Sequence, residues 1–187
     1  MSQETLIVGV TDGPTLTAAA RASCIPTAER RVLPYSNFFF PGRALNIKMG
    51  GRISSVITTP GTARYDICMG AAGTTIVFDS LAILLDTVIG HTTVKWDLDV
   101  TLVCRAVGSV TATTFFPSIA KWGSEDLLGV PATAPKGTLV AQLPWNTTPV
   151  VGAGMDNTVA SILDVFFTQT AATGSMTVHD YIVSVLN

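Results

Sequence analysis

The chain has 187 residues, 48% of them apolar and only 13% charged, with a formal net charge of −2 at pH 7 and a mean hydropathy of +0.46. That length fits a single domain with a sizeable core, and the lack of a basic excess argues against a nucleic-acid partner. No apolar run approaches the roughly 18 residues of a membrane span, so the apolar surplus, at about half the roughly 25% charge usual for soluble domains, points to surface buried against copies of itself or a partner.

Residues 1–30 read as an extended N-terminal arm: a short strand at 6–10, a turn at Asp12-Gly13-Pro14, and an Ala-rich stretch at 16–24 with room for a helical turn or two. An arm with so little apolar surface should lie along the body or on a neighbouring subunit. The segment lacks the basic start of a secretion signal. Cys24, Cys68 and Cys104 show no CxxC spacing and read as reduced thiols packed as small hydrophobes. Phe38, Phe39 and Phe40 follow, and three consecutive side chains cannot all face one side of a strand, so at least one should leave its own core.

From Leu45, the odd positions Leu45, Ile47, Met49, Ile53 and Ile57 are apolar and the even ones include the polar Asn46, Lys48, Arg52, Ser54 and Thr58, across Gly50-Gly51. This period of two predicts one bent strand with a glycine bulge. Pro60-Gly61 then predicts a type II turn into a returning strand, with Ile53 and Ile57 on the same face as Tyr65, Ile67 and Met69. A β-rich run at 74–78 precedes Leu81, Leu84, Leu85 and Val88, which read as extended chain or one helical turn. The clearest strand spans 92–106, where Val94, Trp96, Leu98, Val100, Leu102 and Cys104 alternate with polar residues. A further strand is expected over 110–116. Residues 117–157, rich in Pro and Gly, read as a loop-rich connection, and strands over 159–167 and 176–185 close the chain. The expected class is all-β, a jelly-roll-like antiparallel β-sandwich of about 8–10 strands: an arm over 1–30 and one domain over 31–187.

Nothing in this pattern carries catalysis, and the reading is of a protein that is not an enzyme and has neither cofactor nor metal. His91 and His179 lack the spacing of a metal pair. Asp97 and Asp99 point the same way on a strand beside Lys95, which reads as a solvated face. Trp122 and Trp145 fall in the loop-rich region, where they are candidates for stacking on sugar rings, although packing is the commoner use of tryptophan. For self-association or partner contact the candidates are Phe38, Phe39, Phe40, Leu127, Leu128 and Val130, apolar runs without the interleaved charges that guard the strand face of Lys95, Asp97, Asp99 and Arg105.

Three stretches resemble a family of tailed-bacteriophage virion structural proteins: LPYSNFFFPGRALNIKMGGRISSVITTPGTARYDICMG at 33–70, WDLDVTLVCRAVG at 96–108, and PVVGAGMDNTVASILDVFFTQT with SMTVHDYIV near the end. The likeness covers most of the chain, least over the first thirty residues and 117–144. It implies a capsid decoration or cement protein, jelly-roll in fold and commonly trimeric. Its partners would be copies of itself and the major capsid protein. Its location would be the capsid surface of a virion assembled in the host cytoplasm. The alternatives are a glycan-binding sandwich using Trp122 and Trp145, for receptor binding or host adhesion, and a minor tail or connector component.

Overall fold

The computed structural model describes residues 3–33, 38–124 and 139–186. The chain is an all-β antiparallel sandwich, with eleven strands among the described residues. They are β1 (Gln3–Val8), β2 (Arg21–Ser23), β3 (Ala44–Ser55), β4 (Thr62–Met69), β5 (Thr75–Asp79), β6 (Ile83–Leu84), β7 (His91–Ala106), β8 (Thr114–Ser124), β9 (Leu139–Gln142), β10 (Asp164–Gln169) and β11 (Ser175–Leu186). One sheet has six strands in the order β1-β11-β3-β7-β8-β9; the other runs β2-β10-β4-β5, with β6 also on β4. The winding is jelly-roll-like at its start, since β3 pairs with β11 in one sheet while β4 pairs with β10 in the other.

The long alternations behave as expected. Trp96, Leu98, Val100, Leu102 and Cys104 of β7 and Leu45, Ile47, Met49 and Ile53 of β3 are all buried between the sheets. They pack with Trp122, Tyr65, Phe115, Phe167 and Tyr181 in one core.

The expected hairpin at Pro60-Gly61 is not there. Both edges of β3 are taken, by β11 and β7, so the following strand has no edge to return to and crosses into the other sheet. Gly61 does take a positive φ, 68°. Ile57, however, lies beyond the end of β3 on the crossing and is 47% exposed instead of facing the core. The glycine bulge is also displaced. β3 runs straight through Gly50-Gly51 against β7, and the extra residue sits in β11, between Val178 and Asp180. A Cβ on Gly51 would lie 2.0 Å from the Thr177 carbonyl oxygen, so the glycine admits its bulged neighbour's backbone. The bulge switches which residues of β11 face inward, from Met176 and Val178 to Tyr181, Val183 and Val185.

Two further expectations change. The stretch 16–24 holds no helix: Leu16 bridges to Met176 and residues 21–23 are β2. Residues 117–124 are not loop but the second half of β8, where Pro117 sits beside a bulge opposite Thr101–Leu102 and has no ladder partner on its free side.

Both lateral openings of the sandwich are closed by extended chain. On one side the arm follows β11, with the Gly9, Gly13 and Leu16 amides donating to Tyr181, Val178 and Met176 carbonyls, then crosses to β10 as β2. It lies along its own body. On the other side a strap over 143–157 follows β8, with the Leu143, Gly152 and Met155 amides donating to Ala120, Phe115 and Thr113, and the Trp145 amide to Ser80 by β5.

Candidate contact surfaces

The three phenylalanines divide. Phe38 and Phe39 are buried, and Phe39 meets Phe115 edge-on at 4.7 Å. Asn157 completes the backbone of Phe39 as a neighbouring strand would, accepting from its amide at 3.1 Å and donating to its carbonyl at 3.0 Å. The buried Arg43 guanidinium donates to the Phe38 carbonyl and lies 4.3 Å over the Phe38 ring. Only Phe40 leaves the core, 49% exposed, with the same guanidinium 5.0 Å from its ring. Phe38 and Phe39 are therefore core residues and offer no contact surface, a correction to the expectation from sequence. Leu127, Leu128 and Val130 lie outside the described residues.

The tryptophans are also structural. Trp122 is fully buried on β8 and donates its indole N–H to the Tyr65 hydroxyl at 3.2 Å, so it cannot stack on a ligand. Trp145 is half-buried against the core and belongs to the strap. Sequence reading placed it in a loop-rich connection; the structure places it on the strap that runs between β8 and β5.

A group of exposed apolar side chains lies on the two crossings between sheets. Val56 and Ile57 on the first, with Leu84, Val88 and Ile89 around β6 and the second, are each between 36% and 54% exposed. The crossings touch: Gly90 approaches Ser55 and Val56, and the Leu85 amide donates to the Gly61 carbonyl. Their one ionisable residue, Asp86, is turned inward. It accepts from the Val88 amide at 2.8 Å and the Ile89 amide at 3.3 Å, and meets His91 Nε2 at 3.2 Å. Burial pushes the Asp86 carboxyl up, but the Val88 amide and His91 outweigh it and leave it below its ordinary value. An inward carboxylate thus holds two aliphatic side chains outward. Sequence reading missed this cap because it assigned Ile57 to the core. The available signal was the absence of charge in VITTPG and in LAILLDTVIG apart from Asp86.

Both outer sheet faces carry charged side chains, and the six-stranded one also exposes Val8, Ile119, Val140 and Ile182. On the six-stranded sheet, a shallow furrow runs over β7, β8 and β9 (about 380 Å³, lined by Lys95, Asp97, Asp99 and Lys121) and continues over β11 and β3 (about 680 Å³, with Arg52, His179 and Asp180). Asp97 and Asp99 share this solvated face; their contacts to Lys95 and Lys48 are 3.4 Å and 4.0 Å. His179 meets Asp12 of the arm at 3.0 Å, far from His91. Among the described residues, no group of three His, Cys, Asp or Glu side chains is placed to hold a metal ion.

The outer face of the five-stranded sheet is a closed ladder. Arg21 donates to Asp66 at 2.8 Å, Arg64 to Asp66 at 3.2 Å and to Asp79 at 2.6 Å, and Arg30 meets Asp164 at 3.2 Å. Arg21 also covers the Phe166 ring at 3.8 Å and contacts Cys68, whose thiol burial pushes up to about 11. All three cysteines are buried and unpaired, as their spacing predicted. No protein-family model matches the chain, and no curated protein matches it.

Proposed function

We propose that this chain is a structural virion protein of a tailed phage, a decoration or cement protein that self-associates and binds the outside of the capsid shell with the major capsid protein as partner. The phage assignment rests on the resemblance over 33–70, 96–108 and the C-terminal stretches. The observation that carries the contact role is the uncharged aliphatic cap of Val56, Ile57, Leu84, Val88 and Ile89, displayed on two crossings that are hydrogen-bonded to the body. Covering a few hundred Å² of such surface, at about 25 cal/mol per Å², offsets part of the cost of association. A cement protein needs this combination: a rigid body without chemistry, and a preformed apolar patch that bridges shell subunits. A homotrimer is the expected assembly.

The test is a pair of measurements. Mass spectrometry of purified particles should find the protein at a copy number on the scale of the major capsid protein; absence from particles rejects the proposal, and a few copies would move it to the tail. Ile57→Asp combined with Val88→Asp should leave the chain folded by circular dichroism but abolish its retention on capsids. Unchanged retention would mean that the cap is not the contact.

A further inference from the structure

The arm's fit to its own body suggests what it does when copies meet. Between Val8 and Cys24 the arm buries no apolar side chain completely. Within residues 3–16 only Ile7 is buried in the core, with Leu6 and Leu16 packed partly against it; the rest of the hold is backbone pairing along β11, from Gln3 opposite Leu186 to Leu16 opposite Met176. Their side-chain fastener is Glu29, which accepts from the Thr11 hydroxyl and the Tyr181 hydroxyl, both at 2.5 Å, and from the Val10 amide at 3.3 Å.

Two glycines make the fit selective. A Cβ on Gly9 would stand 2.5 Å from the Tyr181 ring, and one on Gly13 would stand 2.3 Å from the Cys24 carbonyl oxygen. The β11 edge therefore takes this chain's own 3–16 segment and few others. The segment is joined to β2 on the opposite sheet by residues 17–20 alone, all exposed, with Ala18, Ala19 and Ala20 as the bend. A short connection between two paired segments is the arrangement that favours opening and re-pairing with a neighbour.

We infer that residues 3–16 exchange between copies, so that each β11 edge, and each Glu29 clasp, is completed by a neighbour's arm. This rests on the self-association proposed above and specifies its means. Every contact of the segment is made equally well in trans, because β11, Tyr181 and Glu29 lie on the acceptor body and Gly9, Thr11 and Gly13 on the donor. Within one chain the tether keeps the segment at a high effective concentration, and inside an oligomer the neighbour's edge competes on similar terms.

Thr15 and Thr177 provide the test, since their hydroxyls are 2.9 Å apart across the arm–β11 contact and both sites tolerate a residue of similar size. Thr15→Cys in a tagged chain, co-expressed with untagged Thr177→Cys, should give an oxidised heterodimer of the two chains on a non-reducing gel. The native cysteines are buried and do not compete. Three glycines inserted between Ala19 and Ala20 should relax the bend and reduce that product several-fold. If the doubly substituted chain forms only an internal disulfide while light scattering still shows an oligomer, exchange is overturned and self-association stands. A species of one chain's mass, 19.6 kDa, would overturn both. A mixed disulfide insensitive to the glycine insertion would overturn the role of the bend.

Discussion

The two outer faces of the sandwich use the same kinds of side chain in opposite ways. On the six-stranded sheet, Lys95 and Asp97 keep about two thirds of their side chains in water (67% and 63%). On the five-stranded sheet, Asp66 and Asp164 are 1% and 3% exposed, enclosed by arginines that each keep about a third of their surface in solvent. The difference follows from the strands. β10 places Phe166 next to Asp66, and Arg21 from β2 lies over both, so water is displaced by a guanidinium and a ring. The long strand β7 has no such cover. An enclosed pair is expensive to break, while a solvated one contributes little. Charge on this molecule is structural on one face and solubilising on the other.

The sharpest way to break that contrast is Asp66→Ala, which removes the carboxylate partner of Arg21 and leaves Arg64 with Asp79 alone. Loss of a buried ion-pair partner costs about 3–5 kcal/mol, and the half-open arginines place this case at the lower end, about 3 kcal/mol, read from the urea midpoint. In the six-stranded sheet the vulnerable residue is not a charge but an inward glycine of β3. Gly51→Ala drives a methyl into the Thr177 carbonyl, and the strain should cost about 2–3 kcal/mol, again by urea unfolding.

Acid should separate the regions locally. Thr11 and Tyr181 hold the Glu29 carboxyl below its ordinary value, so its contribution is present at neutral pH and lost as pH falls through and below about 4. Burial instead raises Asp164, so taking up a proton there favours the folded state as pH falls. Hydrogen-exchange protection factors of the Gly9, Gly13 and Leu16 amides, corrected for the intrinsic exchange rate, should therefore fall below about pH 4 before the ladder opens. Glu29→Gln should remove that pH dependence and leave the arm loose throughout. The smallest effect is expected for Lys95→Ala, within about 0.5 kcal/mol of the parent in the same urea assay; a larger loss would mean that the open face is not simply solvated.

Much of the fold was legible residue by residue. The alternation in β7 and β3 assigned their inward faces correctly, because side chains alternate strictly along a strand whatever lies beside it. The phenylalanine run announced that one ring must leave the core, but choosing Phe40 required Asn157, more than a hundred positions away, to occupy the backbone of Phe39. The exposed aliphatic cap was the least legible feature. Apolar residues at its positions have the composition of a core, and only the crossing of the sheets turns them outward.

By itself, the sequence determined an all-β sandwich, a polar face on β7 and buried thiols. These follow from composition and a period of two, which are local properties. The tertiary structure alone decided that Pro60-Gly61 leads across the sandwich instead of back along it, that the bulge belongs to β11 and not to the glycines it presses on, and that Trp122 is core. Each depends on which strand occupies an edge. Edges are assigned by pairings such as β3 with β11, whose partners are more than a hundred residues apart, so no window of sequence contains them.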